Sequence, residues 1–268
     1  ANPKIKKYKI RARDLENEIS KMQQESGYPY VINIDTVNAA NPIHGKVISS
    51  NLCSEILQVQ KASEIDNEQQ YVTMGSDVSC NLGSTNIVNM MATTDFARSV
   101  ETMMRALTFV SDNSDLDIVP SVQNGNRELH AVGLGAMGLH AFFAKNHMYY
   151  GDEEALDFTN AYFLMLNYYT LLASNKIAKE RGESFYEFEK SAYADGSYFN
   201  KYLMADWSPK TAKVQEIFEQ HHFPTKHYWA MLKESVQKHG LYNAYRLAIA
   251  PTGSISYVND STASLHPI

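Results

Sequence analysis

Cysteine is scarce: two residues among 268, Cys53 and Cys80. That excludes a disulfide-dense scaffold and points to a reducing compartment, the cytoplasm. No CxxC occurs, and no histidine stands at ligand spacing from either cysteine, so no metal site is expected. Long apolar runs are missing as well. Nothing approaches the roughly 18 consecutive apolar residues of a membrane span, so no membrane partner is expected. Excess positive charge is also lacking. Lys and Arg number 24 against 30 Asp and Glu, a net charge of −6. Phosphate backbones reward a basic surface, so nucleic acid is not an expected partner. The N-terminal stretch ANPKIKKYKIRARDLENEI is basic and polar without the apolar centre of a secretory signal. Neither an internal repeat nor a low-complexity tract is present.

What is there reads as short strands among long helices. Residues 12–25 read as a helix, with Leu15, Ile19 and Met22 on one face, Asp14 and Glu16 in the first turn and Gly27 as the stop. Tyr30–Ile34 reads as a short strand, 38–46 as loop, and Val47–Leu57 as extended chain. Asp77–Leu82 is a second strand candidate, followed by a turn at Gly83-Ser84. An apolar stripe of Phe96, Val100, Met103, Met104 and Leu107 predicts a helix over 94–110, capped by Thr94 or Asp95. Residues 126–147 also read as helix. The run Gly133-Leu134-Gly135-Ala136-Met137-Gly138 within it lacks the spacing of a phosphate loop after a clear strand, which favours close helix packing at small residues. A long amphipathic helix is predicted over 153–181 and ends at Gly182, and Ser184–Phe188 is a possible strand. Residues 191–222 read as irregular, 229–239 as helix ended by Gly240, and Tyr245–Ala250 as an apolar strand. Together these predict an α/β architecture with a mainly parallel sheet or barrel. The scattered histidines His44, His130, His140 and His266 read as surface or hydrogen-bonded core residues, and His221-His222 as surface.

Two segments carry candidate chemistry. In an extended backbone Asn51, Cys53 and Glu55 point to one face, setting an amide, a thiol and a carboxylate in a row. A thiol can lose a hydrogen atom or a proton, a carboxylate can take a proton, and an amide can orient a polar substrate. A half-exposed strand end fits the same spacing. The second segment is Thr252-Gly253-Ser254-Ile255-Ser256, at the end of the apolar strand. Gly253 permits close backbone approach, the three hydroxyls can donate, and a helix starting here would aim free N–H groups at an anion such as phosphate. A Ser/Thr-rich cap without any ligand fits equally well.

Five strings then add up. SGYPY at Ser26–Tyr30, DTVNAANP at Asp35–Pro42, NLCSEI at Asn51–Ile56, SCNLGS at Ser79–Ser84 and PTGSISY at Pro251–Tyr257 closely resemble the large (alpha, catalytic) subunit of ribonucleotide reductase. The resemblance runs over nearly the whole chain, in the version of the class Ib enzymes. It implies a ten-stranded α/β barrel built from two halves with a central finger loop. Residues 1–268 would form part of that catalytic barrel domain, mainly its second half, with the finger loop around 45–57 and the phosphate-binding segment at 251–257.

By the same resemblance Cys53 would become a thiyl radical and take the 3′ hydrogen of a ribonucleoside diphosphate. Glu55 would accept the 3′-OH proton, and Asn51 would hydrogen-bond the substrate hydroxyls. Cys80 would be one of two redox-active thiols, and Thr252, Gly253, Ser254, Ile255 and Ser256 would hold the substrate diphosphate. No cofactor or metal would be bound by this chain. The radical would come from a separate metal-containing small (beta) subunit, the electrons from a thioredoxin- or glutaredoxin-like dithiol, and effector nucleotides would bind outside this chain. Family members carry further segments, among them a second reducing cysteine, the effector loops and a C-terminal tail. Those remaining alpha-subunit segments are expected partners, and the isolated chain is expected not to turn over. A cobalamin-dependent class II reductase, a non-catalytic assembly fragment and a nucleotide-binding module of unrelated role are the competing expectations.

Overall fold

The computed structural model describes residues 6–268. The chain divides into two compact units, 1–39 and 40–268. In the first, helix α1 (Ala12–Ser26) matches the predicted span. It ends because Gly27 takes the left-handed conformation at φ 78° and returns its N–H to the Gln23 carbonyl at 2.8 Å. The strand expected over Tyr30–Ile34 is absent. Residues 30–33 are irregular, and a short helix α2 (Ile34–Ala40) starts in its place with Asp35 in the first turn.

The second unit is α/β. An exposed hairpin pairs β1 (Glu64–Ile65) antiparallel with β2 (Tyr71–Thr73). The inner sheet pairs β3 (Leu82–Asn86) in parallel with β4 (Gly133–Met137), from Leu82 opposite Gly133 to Asn86 opposite Met137. Beyond β4 the 245–250 segment runs parallel again, bridged between Leu134 and Leu247. Leu134 N–H donates to the Arg246 carbonyl at 2.8 Å, and Ala248 N–H donates back to the Leu134 carbonyl at 3.3 Å. This sheet is open, and among the described residues no closed barrel forms.

Two expectations are corrected here. Strand β3 starts at Leu82 rather than ending there, and it runs straight through Gly83-Ser84, where a turn was expected. The helix expected over 126–147 is three elements: α5 (Pro120–Leu129), β4 and α6 (Leu139–Lys145). His130, left-handed at φ 44°, ends α5 without a glycine to announce it. The small residues of β4 do pack closely, but as a strand. A Cβ on Gly135 would overlap the Ala248 carbonyl, and one on Gly133 would lie 2.8 Å from the Ala248 Cβ.

Helices fill the crossovers between the parallel strands. After β3 come α3 (Ile87–Ala92), α4 (Phe96–Asn113) and α5. Asp95 caps α4 as expected, accepting from Arg98 N–H at 2.9 Å. After α6 come α7 (Glu153–Arg181), α8 (Asn200–Met204), α9 (Ala212–Phe218) and α10 (Lys226–His239). No strand forms at Ser184–Phe188; a 3-10 turn occupies 188–190. Helix α7 ends at Gly182 as predicted, but it is buried on nearly every side rather than amphipathic. Its buried polar residues are satisfied internally. Asn167 donates to the hydroxyls of Tyr198 and Tyr202 at 3.0 and 2.9 Å, and Asn175 donates to the Gly240 carbonyl at 2.8 Å. The core lies around α7. One cluster joins it to α3, α4, α6 and α9, and the other to α8, α10 and Leu241. His221, expected at the surface, is buried and hydrogen-bonds the Met91 carbonyl at 3.2 Å. Among the described residues no helix is long and apolar enough to cross a membrane.

Candidate active site

The row read from Asn51, Cys53 and Glu55 is not an extended strand. The chain folds back within Asn51–Ile56. Ser54 N–H donates to the Asn51 carbonyl at 3.1 Å, and Ser54 sits left-handed at φ 65°. Asn51 closes the loop from both ends: its N–H donates to the Ile56 carbonyl at 3.3 Å, and its Oδ1 accepts from Ile56 N–H at 3.0 Å. The loop therefore presents Cys53 at an exposed tip. Glu55 is half-buried, and its Oε2 is buried with no hydrogen-bond partner. A buried carboxylate oxygen without a donor is costly, and it is an acceptor held open for a proton or a hydroxyl.

Three side chains anchor this loop. Gln60 Oε1 accepts from the N–H groups of Ile48 and Ser49 at 3.2 and 3.0 Å. Tyr245, on the third parallel segment, accepts from Val59 N–H at 3.1 Å through its hydroxyl oxygen. The buried Gln58 donates from Nε2 to the Ser79 carbonyl at 3.0 Å.

That last bond ties the loop to Cys80. Both neighbours of Cys80 are fixed: Ser79 Oγ donates to Asn126 Oδ1 at 3.1 Å, and Asn81 Nδ2 donates to the Leu107 carbonyl at 2.7 Å. Cys80 stands exposed between them as a free thiol. Its pKa is raised, first by desolvation and then by the Glu55 carboxylate and Cys53. The Gln58–Ser79 bond thus links the loop of Cys53 and Glu55 to the segment of Cys80, although 27 positions separate the cysteines. Sequence reasoning singled out Cys53, Glu55 and Cys80 as candidates and did not name the side chains that hold their segments. Gln58, Gln60, Asn126 and Tyr245 are ordinary polar side chains whose partners lie far along the chain.

The second segment follows residues 245–250, where the expected strand is reduced to a single bridge from Leu247 to Leu134. Helix α11 (Gly253–Val258) begins after Thr252, which is left-handed at φ 52°, a costly conformation for a β-branched residue. The five expected contact residues divide. Thr252 and Ser256 are buried and turned inward, Thr252 Oγ1 accepting from Ser264 N–H at 2.7 Å and Ser256 Oγ donating to the Gly253 carbonyl at 2.8 Å. Gly253, Ser254 and Ile255 are exposed, in the first turn, where backbone N–H groups have no intrahelical acceptor.

The sequence model of the ribonucleotide reductase barrel domain matches residues 1–268. The chain is 46% identical over 270 residues to the ribonucleoside-diphosphate reductase subunit alpha of Bacillus subtilis (strain 168), covering all of this chain and 38% of that protein. It is 44% identical over 274 residues to the subunit of the same name from Mycoplasma pneumoniae, again covering all of this chain and 38% of the relative. Identity to the Helicobacter pylori (strain J99) subunit alpha is 29% over 315 residues, 39% of that protein. The chain therefore spans somewhat over a third of the length of these relatives.

Proposed function

Because the chain belongs to the ribonucleotide reductase barrel-domain family, we propose that it is the part of a catalytic alpha subunit that carries out thiyl-radical reduction of ribonucleoside diphosphates. The observation that carries the proposal is the buried Gln58–Ser79 hydrogen bond that ties the loop of Cys53 and Glu55 to the segment of Cys80, with the Glu55 Oε2 left without a donor.

In this proposal a radical supplied by a separate metal-containing beta subunit leaves a sulfur-centred radical on Cys53. That sulfur takes the hydrogen atom from C3′ of the ribose. Glu55 takes the 3′-OH proton through its uncommitted oxygen, which helps the C2′–O bond break and water leave. Two thiols supply two electrons and two protons and end as a disulfide, and Cys53 returns its hydrogen to C3′. Cys80 is one of those thiols, and its partner lies in the remainder of the subunit. An external dithiol protein then reduces the disulfide. Asn51 Oδ1 is spent on holding the loop, so its Nδ2 is the group left to donate to a substrate hydroxyl. The diphosphate sits on the exposed N–H groups of Gly253–Ile255 and on Ser254, while Thr252 and Ser256 shape the turn. The barrel is completed by the rest of the subunit, and effector nucleotides bind there.

The deciding experiment is Cys53→Ser in the full-length alpha subunit with its radical-generating partner. Deoxynucleotide formation should vanish while diphosphate binding persists. Substantial turnover by the variant would remove Cys53 from the mechanism.

A further inference from the structure

Strands β3 and β4 end side by side at Asn86 and Met137, and the 245–250 segment, bridged to β4 at Leu247, runs on to end at Thr252; the crevice beyond parallel strand ends is where open α/β sheets hold ligands. One segment, Asn259–Ser264, crosses all three ends. At the first, Asn86 Nδ2 donates to the Asn259 carbonyl at 3.2 Å. At the second, Gly138 N–H donates to the Ser264 carbonyl at 3.1 Å, and Ala141 N–H donates to Thr262 Oγ1 at 3.2 Å. Gly138 is left-handed at φ 83°, and a Cβ there would overlap Ser261 Oγ, so the segment lies directly on the strand end. At the third, Ser264 N–H donates to Thr252 Oγ1 at 2.7 Å. Ser261 N–H also closes onto the Ser256 carbonyl at 3.0 Å, joining the segment to α11 itself.

This lacing accounts for Thr252. A β-branched residue at positive φ persists only where its surroundings hold it there. The Ser264 N–H supplies that hold, and Ser264, itself at φ 50°, is held in turn by Gly138. We propose that Asn259–Ser264 is a positioning strap that keeps the first turn of α11 in its anion-binding geometry, with Asn86 as the positioning residue that anchors it to β3. The strap deepens the phosphate-binding role proposed above and rests on it. Asn86 has two separable jobs. Its Oδ1 caps α3, accepting from Val88 and Asn89 N–H at 3.1 and 3.5 Å, while its Nδ2 holds the strap.

Asn86→Ser separates them, because serine is an equally good cap and its side chain is too short to reach Asn259. The test uses hydrogen exchange in the full-length subunit with ADP as probe. The variant should exchange the amides of 252–258 about tenfold faster without ligand while 87–92 stay as in the wild type. The ADP concentration that half-protects 253–255 should rise about tenfold, and in turnover KM for ADP should rise likewise with kcat within about twofold. Unchanged exchange at 252–258, or equal loosening of 87–92, overturns the strap. Failure of ADP to protect 253–255 in the wild type sinks the phosphate-binding role instead, and the unliganded comparison still decides the strap.

Discussion

Gln58 donates to the Ser79 carbonyl across 21 residues, and this one buried bond ties the Cys53 loop to the segment carrying Cys80. Replacing it with Gln58→Leu leaves a buried carbonyl without a donor. The expected loss is about 1–3 kcal/mol of stability. A urea titration should show a lowered midpoint at an unchanged slope.

The raised pKa of Cys80 sets its reactivity. The thiolate is the nucleophile, so at pH 8 Cys80 should alkylate with iodoacetamide more slowly than an unperturbed cysteine, despite its exposure. Glu55 contributes to the rise by favouring the neutral thiol. Glu55→Gln should therefore shift the pH midpoint of Cys80 alkylation downward, as followed by peptide mass spectrometry. An unmoved midpoint would separate Glu55 from Cys80.

Gly135 lies on β4 against the 245–250 segment, with no room for a methyl group before the Ala248 carbonyl. The Ala248 carbonyl and the Ile249 Cα behind it are backbone and cannot rotate away. Gly135→Ala should cost about 3 kcal/mol or more, read as a lowered Tm. Gly151→Ala tests positive φ alone, since a Cβ there meets nothing within 4 Å, and it should cost less.

His130 carries a pH dependence. Burial lowers its pKa, opposed by Asp112 and Glu183 and assisted by Arg181, while Tyr242 stacks on its ring at 4.2 Å. The folded state therefore binds a proton less readily than the unfolded state, whose histidine titrates near 6.5. The His130 contribution is fully present above about pH 6.5 and is lost as pH falls toward the depressed folded value. Tm should drop on acidification through that window, and His130→Gln should flatten the dependence.

How much of this was legible in the sequence follows from how local each signal is. The four long helices could be read because their signals lie within one segment, as with Asp95 before α4 and Gly182 after α7. Strand β4 could not, because five small or apolar residues buried on both faces carry no alternation. The 51/53/55 row was read as extended backbone, and the structure folds it into a turn. Its turn depends on Asn51 reaching Ile56, which residue spacing does not reveal.

The sequence by itself determined which reactive groups the candidate site has to offer: two thiols, a carboxylate, an amide and a hydroxyl-rich turn. Their identities are covalent facts, and their motifs mark the family. Only the tertiary structure decided which of them meet. Gln58 ties the Cys53 loop to Ser79 beside Cys80, and Thr252 turns its hydroxyl inward to the Ser264 N–H. Such pairings depend on where distant segments come to rest, and that is set by burial and hydrogen-bond satisfaction over the whole unit.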